Sequence, residues 1–124
     1  MQSVLIIEDN LAIRENTAEL LELNGYRVFT AKNGNEGFEL VKSTNPNVIL
    51  CDIVMPETDG RELLKLLKKD KTTSGIPLIF LSAGSAPPAV QKGLMQGADA
   101  YLSKPFDEQE LLDAVKRNMN GSKK

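Results

Sequence analysis

The sequence predicts one α/β domain, a parallel β-sheet covered by helices on both faces. Three observations predict it. Short β-branched runs alternate with longer amphipathic stretches along the whole chain. Runs such as Val4-Leu5-Ile6-Ile7 are continuously apolar rather than alternating, which suits strands buried on both faces. The connections between the stretches are short, and right-handed crossovers leave only a few doubly wound arrangements.

The first strand, β1, is expected over about Ser3–Ile7, followed by helix α1 from about Asn10 to Asn24, with Gly25 placed as its C′ residue. Strand β2 falls at about Arg27–Ala31. Asn33 then caps helix α2, with Glu36 three residues on in a capping-box arrangement, and α2 runs to about Ser43. Beyond Pro46, Val48-Ile49-Leu50-Cys51 reads as β3. Asp59-Gly60 opens α3, with Leu63, Leu66 and Leu67 on its apolar face. Its basic run, Lys65, Lys68, Lys69 and Lys71, reads as a solvated face. Gly75 precedes β4, Pro77–Leu81. Pro87 and Pro88 lie where a first helical turn tolerates proline, so a short α4 is expected over about Pro88–Gln96. Gly97 turns the chain into β5, about Ala100–Leu102. Asp107, with Glu110 three residues on, caps α5, whose stripe Leu111, Leu112, Val115 and Met119 ends the fold. Residues 1–124 read as a single domain, with Asn120–Lys124 expected to fray.

Composition narrows the function. The chain has 124 residues, 41% hydrophobic and 26% charged, which fits one soluble domain with a core. Its net charge of −2 gives no reason to expect nucleic-acid or membrane binding. One cysteine, Cys51, allows no intramolecular disulfide and reads as inert core. With no signal peptide or bilayer-length apolar run, a cytoplasmic location is expected. The absence of histidine excludes Ser-His-Asp and Cys-His nucleophile systems and His-ligated zinc.

In open parallel α/β sheets, sites form at the carboxyl ends of the strands. Read in turn, those ends carry Glu8-Asp9, Asp52, Ser82-Ala83 and Lys104-Pro105. Carboxylates converging there would repel, by roughly 4 kcal/mol for a pair about 4 Å apart at an effective dielectric near 20. A hard divalent cation on oxygen ligands would relieve that, and few protein ligands favour Mg²⁺. A carboxylate nucleophile, a metal, a lysine and a hydroxyl together make a phosphoryl-transfer site. Taken singly, these residues have ordinary readings as well. Glu8 and Asp9 could cap α1, Ser82 could be a turn serine, Lys104 a surface lysine and Tyr101 a half-buried tyrosine at a strand end.

Four segments, in this order and spacing, resemble the receiver domains of response regulators from end to end. They are Val4-Leu5-Ile6-Ile7-Glu8-Asp9-Asn10, Asp52-Ile53-Val54-Met55-Pro56 with Asp59-Gly60, Leu81-Ser82-Ala83, and Gly97-Ala98-Asp99-Ala100-Tyr101-Leu102-Ser103-Lys104-Pro105-Phe106. The resemblance implies a flavodoxin-like (βα)₅ sheet of order 2-1-3-4-5, which periodicity does not give. It implies that Asp52 is the phosphoacceptor and that Mg²⁺ is held by Asp9, Asp52 and the Val54 carbonyl, with Glu8 acting through water. Ser82 would bond the phosphoryl oxygen, Lys104 would pair with it, and Tyr101 would move inward as Ser82 shifts. The bond to Pro105 is usually cis in this family. Output would be read on the α4-β5-α5 face, through which a homodimer is also conceivable.

The resemblance further implies a histidine kinase or histidine phosphotransfer protein as donor, on another chain. The signal would pass to a downstream output protein or a fused effector domain. No external substrate is turned over, so the domain is not an enzyme in the ordinary sense. Four departures or variable positions stand out. Glu8 replaces the aspartate of many members, Ser82 replaces the commoner threonine, and neither Val54 nor Gly84 can position a water, which points to slow self-hydrolysis. The competing reading is an interaction domain of the same fold that signals without phosphorylation. A phosphatase with an Asp nucleophile would want a second acid at position 54, and a flavin carrier would want a phosphate-cradling loop where Glu8-Asp9 stands.

Overall fold

A computed structural model describes residues 2–53, 55, 59–83 and 98–119. They form a sheet of five parallel strands in the order β2-β1-β3-β4-β5. The strands are β1 Ser3–Ile7, β2 Arg27–Ala31, β3 Val48–Asp52, β4 Leu78–Ala83 and β5 Ala100–Lys104. The helices are α1 Leu11–Leu23, α2 Gly34–Thr44, α3 Gly60–Lys69 and α5 Glu108–Asn118. The segment expected as α4 lies outside the described residues, as do Val54, Pro56, Gly84 and Asn120–Lys124. No described helix is long and apolar enough to cross a membrane.

The unbroken apolar strands have the cause their pattern implied: every residue of β1 and β3 is buried. Alternate residues feed two cores. Leu5, Ile7, Ile49, Cys51, Leu78 and Phe80 pack with Val41 of α2 and Leu63, Leu64 and Leu67 of α3. On the other face Val4, Ile6, Val48, Leu50, Ile79 and Leu81 pack with Leu21 of α1 and Leu111, Ala114 and Val115 of α5. The helices therefore divide between the faces, α2 and α3 on one and α1 and α5 on the other.

Local chemistry fixes the helix ends. Asn10 caps α1 by accepting from the Ile13 N–H at 3.0 Å. Its far end closes in a Schellman turn, with Gly25 at φ +90 and the Tyr26 N–H donating to the Leu21 carbonyl at 3.1 Å. Asp107 and Glu110 complete a capping box on α5. The pair on α2 makes half of one: Asn33 accepts from the Glu36 N–H, but the Glu36 carboxylate reaches back to the Lys32 N–H instead of that of Asn33. In α3 the apolar face is turned from the expected one. Leu64 is buried beside Leu63 and Leu67, while Leu66 is 44% exposed. Leu63, Leu64 and Leu67 span about 100° of the helical wheel, and Leu66 lies outside that arc.

One helix start bears directly on the sheet edge. Asp59 caps α3 by accepting from the Arg61 N–H. The hydrogen bond from the Arg61 side chain holds the Asp59 carboxyl below its ordinary range, against a smaller opposing effect of burial. The Gly60 N–H then donates to the Ile53 carbonyl at 2.7 Å. A Cβ on Gly60 would lie 2.6 Å from the Asp52 carbonyl oxygen and 3.1 Å from the Phe80 ring. Only glycine lets α3 lie this close to the end of β3. Gly60→Ala is expected to lose about 1–3 kcal/mol through overpacking against backbone, despite alanine's better helix propensity. Urea unfolding reads this as a lower midpoint at unchanged slope; an unchanged midpoint would mean that α3 can shift freely.

Candidate functional site

The parallel register brings the predicted residues to one edge. Ile7 is level with Cys51, so Glu8 follows β1 at the level of Asp52, the last residue of β3. Asp52 pairs with Leu81, so Ser82 lies one residue further along β4, half-buried. Lys104 pairs with Ala83, two residues beyond that level, or roughly 6–7 Å along the sheet. A long side chain is needed to reach back across that distance, and lysine has one.

It reaches back into a cluster of acids. Ligand atoms of Glu8, Asp9 and Asp52 all lie within 4.8 Å of one another. Glu8 is 1% exposed and Asp52 is 7% exposed, whereas Asp9 faces solvent. The Lys104 ammonium sits 2.9 Å from Glu8 Oε1 and 3.5 Å from Asp52 Oδ2. Burial alone would pull the Lys104 pKa down; the hydrogen bond to Glu8, with the charges of Asp52 and Glu8, outweighs it and holds the ammonium above the ordinary lysine range. The close partner of Lys104 is therefore Glu8, ahead of Asp52. This contact spans 96 residues of sequence and had no signal in it.

Glu8 is held at each of its other polar atoms too. Its Oε2 accepts from the Asn10 N–H at 3.1 Å, its N–H donates to the Ala31 carbonyl at 3.0 Å, and its carbonyl accepts from the Arg14 guanidinium at 2.9 Å. Residue types alone indicate neither the Asn10 nor the Arg14 contact, because both depend on how the loop folds over Glu8.

The arrangement can hold a cation. Three carboxylates against one ammonium leave a net charge of −2 at the edge. Two carboxylates at the outer separation of 4.8 Å would still repel by about 3.5 kcal/mol at an effective dielectric near 20. All the side-chain donors are carboxylate oxygens, hard ligands that fit a hard divalent ion. The Val54 carbonyl, the remaining expected ligand, lies outside the described residues.

Two neighbours complete the description. Cys51 is fully buried, and burial, then the charges of Asp52, Glu8 and Asp59, push its thiol far above the reactive range. The Tyr101 ring packs on the core beneath α2 and α3, with its phenol oxygen buried and without a hydrogen-bond partner among the described residues. The Lys104–Pro105 peptide is cis.

Known proteins place this chain among relatives. The sequence profile of the family described as response regulator receiver domain matches residues 4–116. The chain is 36% identical over 121 residues to protein PilH of Pseudomonas aeruginosa, covering 98% of this chain and 100% of PilH. It is 37% identical over 115 residues to the phosphate regulon transcriptional regulatory protein PhoB of the same species, covering 93% of this chain. That match takes in only 50% of PhoB, so the chain spans about half of some curated relatives and all of others. The solved chemotaxis protein CheY4 of Vibrio cholerae superposes with a TM-score of 0.87 at 30% identity, over 96% of this chain and 99% of that one.

Two stability predictions follow from the site. Lys104→Met strands the Glu8 carboxylate in a buried position, so unfolding in EDTA should show a loss of about 3 kcal/mol. Adding Glu8→Gln should recover much of it; no recovery would place the loss elsewhere. Because the folded state raises the Lys104 pKa, the contribution is intact at neutral pH and is lost only as pH rises past the ordinary value of 10.5 and through the folded one. Tyr101→Phe removes a buried, unpartnered hydroxyl and should stabilise the fold by about 1 kcal/mol in urea unfolding. Destabilisation would reveal a partner for the hydroxyl outside the described residues.

Proposed function

The chain belongs to the response-regulator receiver family, and from that premise we propose that it is a phosphoacceptor switch in which Asp52 takes a phosphoryl group from a histidine on a partner protein. The observation that carries this reading is the Lys104 ammonium, seated between Glu8 and Asp52 at the carboxyl edge of the sheet. A buried carboxylate beside a fixed cation and further acids is the donor set that phosphoryl transfer to aspartate requires. The donor histidine must come from another chain, since this one has none.

In the proposed step an Asp52 carboxylate oxygen attacks phosphorus in line. The new O–P bond forms as the P–N bond of the donor's phosphohistidine breaks, and the departing imidazole nitrogen takes a proton. Lys104 pairs with a phosphoryl oxygen and Ser82 donates its hydroxyl to another. Asp9 and Asp52, with the Val54 carbonyl and with Glu8 through water, would hold Mg²⁺. When bound, Mg²⁺ would lower the negative charge on the phosphoryl oxygens and relieve the repulsion among the acids. Later hydrolysis of the acyl phosphate resets the switch, slowly if Val54 and Gly84 supply no water-positioning group. Output passes through the α4-β5-α5 face to a partner protein, a fused domain or a second copy, with Tyr101 and Ser82 moving together.

Intact mass after incubation with acetyl phosphate and Mg²⁺ tests the reading. One Mg²⁺-dependent phosphoryl adduct is expected, absent in Asp52→Asn. The thermal midpoint should rise with Mg²⁺, by the equivalent of about 2.7 kcal/mol at one hundred times the dissociation constant. No adduct and no response to Mg²⁺ would favour an interaction domain that works without phosphorylation.

A further inference from the structure

We infer that Arg14 is a positioning residue for the cation site, acting through the Glu8–Asp9 peptide. The inference rests on the proposed metal-dependent reading of the acidic edge. Arg14 lies in the first turns of α1 and touches none of the clustered carboxylates in the contacts seen; its guanidinium donates to the Glu8 backbone carbonyl at 2.9 Å. That carbonyl belongs to the planar peptide whose other end carries Asp9. Asp9 is the exposed member of the cluster, so the orientation of its carboxylate depends on how its backbone is held.

Arg14 also closes a ring of hydrogen bonds. The Asn10 N–H donates to Glu8 Oε2, the Asn10 side chain accepts from the Ile13 N–H, and the Asn10 carbonyl accepts from the Arg14 N–H at 2.9 Å. The Arg14 side chain then returns to Glu8. Two of these bonds, from the Asn10 N–H and from the Arg14 side chain, tie the first turn of α1 to Glu8, whose other carboxylate oxygen holds Lys104, and the other two join Asn10 to Ile13 and Arg14 within that turn. Without Arg14, the Glu8 carbonyl loses its charged donor and the ring opens beside Asp9.

Two effects of Arg14 on a bound cation have opposite signs. As a nearby positive charge it would weaken binding; as the clamp on the Asp9 backbone it would strengthen binding by presetting a ligand. The closed ring favours the second. Mg²⁺ titration calorimetry on the full chain, with urea unfolding in EDTA alongside, separates them. Arg14→Met should weaken Mg²⁺ binding roughly tenfold, the lower end of the cost of removing support from a metal ligand. Arg14→Lys keeps a charge and a donor, so its affinity should lie nearer the parent's. If Arg14→Met unfolds, Arg14→Gln, neutral and shorter, should show the same weakening. An unchanged affinity overturns the inference, and a tighter one in Arg14→Met beside a parent-like Arg14→Lys assigns Arg14 a charge effect only. Absence of Mg²⁺ binding in the parent chain would overturn the metal reading itself.

Discussion

The ammonium of Lys104 is the contact on which the carboxyl edge of this sheet depends. It joins β5 to the ends of β1 and β3 by neutralising Glu8, which is almost wholly buried, and by approaching Asp52. A carboxylate as buried as Glu8 would otherwise have nothing to offset its lost hydration. The acids can then converge because one of them is already paired. The edge keeps a net negative charge that an added cation, rather than further protein groups, is suited to balance.

Asp52, the proposed nucleophile, rests on a bed prepared by residues outside the acidic cluster. Phe80 and Gly60 pack against the end of β3, and the Gly60 N–H and the Leu81 carbonyl hold the backbone of Ile53 from two sides. Asp52 therefore has little freedom of main chain. Strand registers set the level of each group, and side-chain length makes up the differences. Lys104 is seated two residues too far along and reaches back, while Glu8 is long enough to meet it. A shorter aspartate at position 8 would give up that direct meeting, so the Glu-for-Asp departure has a structural consequence at the lysine.

Much of this was readable from residue order. The strands were readable because burial on both faces leaves an unbroken apolar run, and the helix caps because short polar side chains have few other uses before such stripes. The sheet order came from resemblance alone, since periodicity does not say which strands are neighbours. The face of α3 differs from the expected one at Leu66 because four leucines within five positions allow two neighbouring arcs, and only packing into the core that holds Phe80 and Ile76 selects the one through Leu64. Strands β4 and β5 extend to Ala83 and Lys104, past their apolar runs, because ladder pairing continues after side-chain burial ends. The preference of Lys104 for Glu8, and the grip of Arg14 on the Glu8 carbonyl, were invisible. They are matters of ångströms between distant or differently folded segments, and residue types do not encode them.

On the proposed reading, phosphorylation acts on an electrostatic balance that is already poised. The phosphoryl group exchanges one carboxylate charge for roughly −1.5 to −2 in the same place. The added charge draws the Lys104 ammonium, now 2.9 Å from Glu8 and 3.5 Å from Asp52, toward the phosphoryl oxygens. Either the ammonium shifts toward Asp52, loosening the tie to β1, or the added charge draws a donor from β4, where Ser82 is half-buried and one strand from the nucleophile. On this reading Tyr101 responds to the movement of Ser82; its ring packs on the core and its hydroxyl has no hydrogen-bond partner among the described residues. Among the described residues, therefore, no hydrogen bond locks the ring in place. A small energy gap between two placements of one tyrosine is the condition under which a single charge event can select between them.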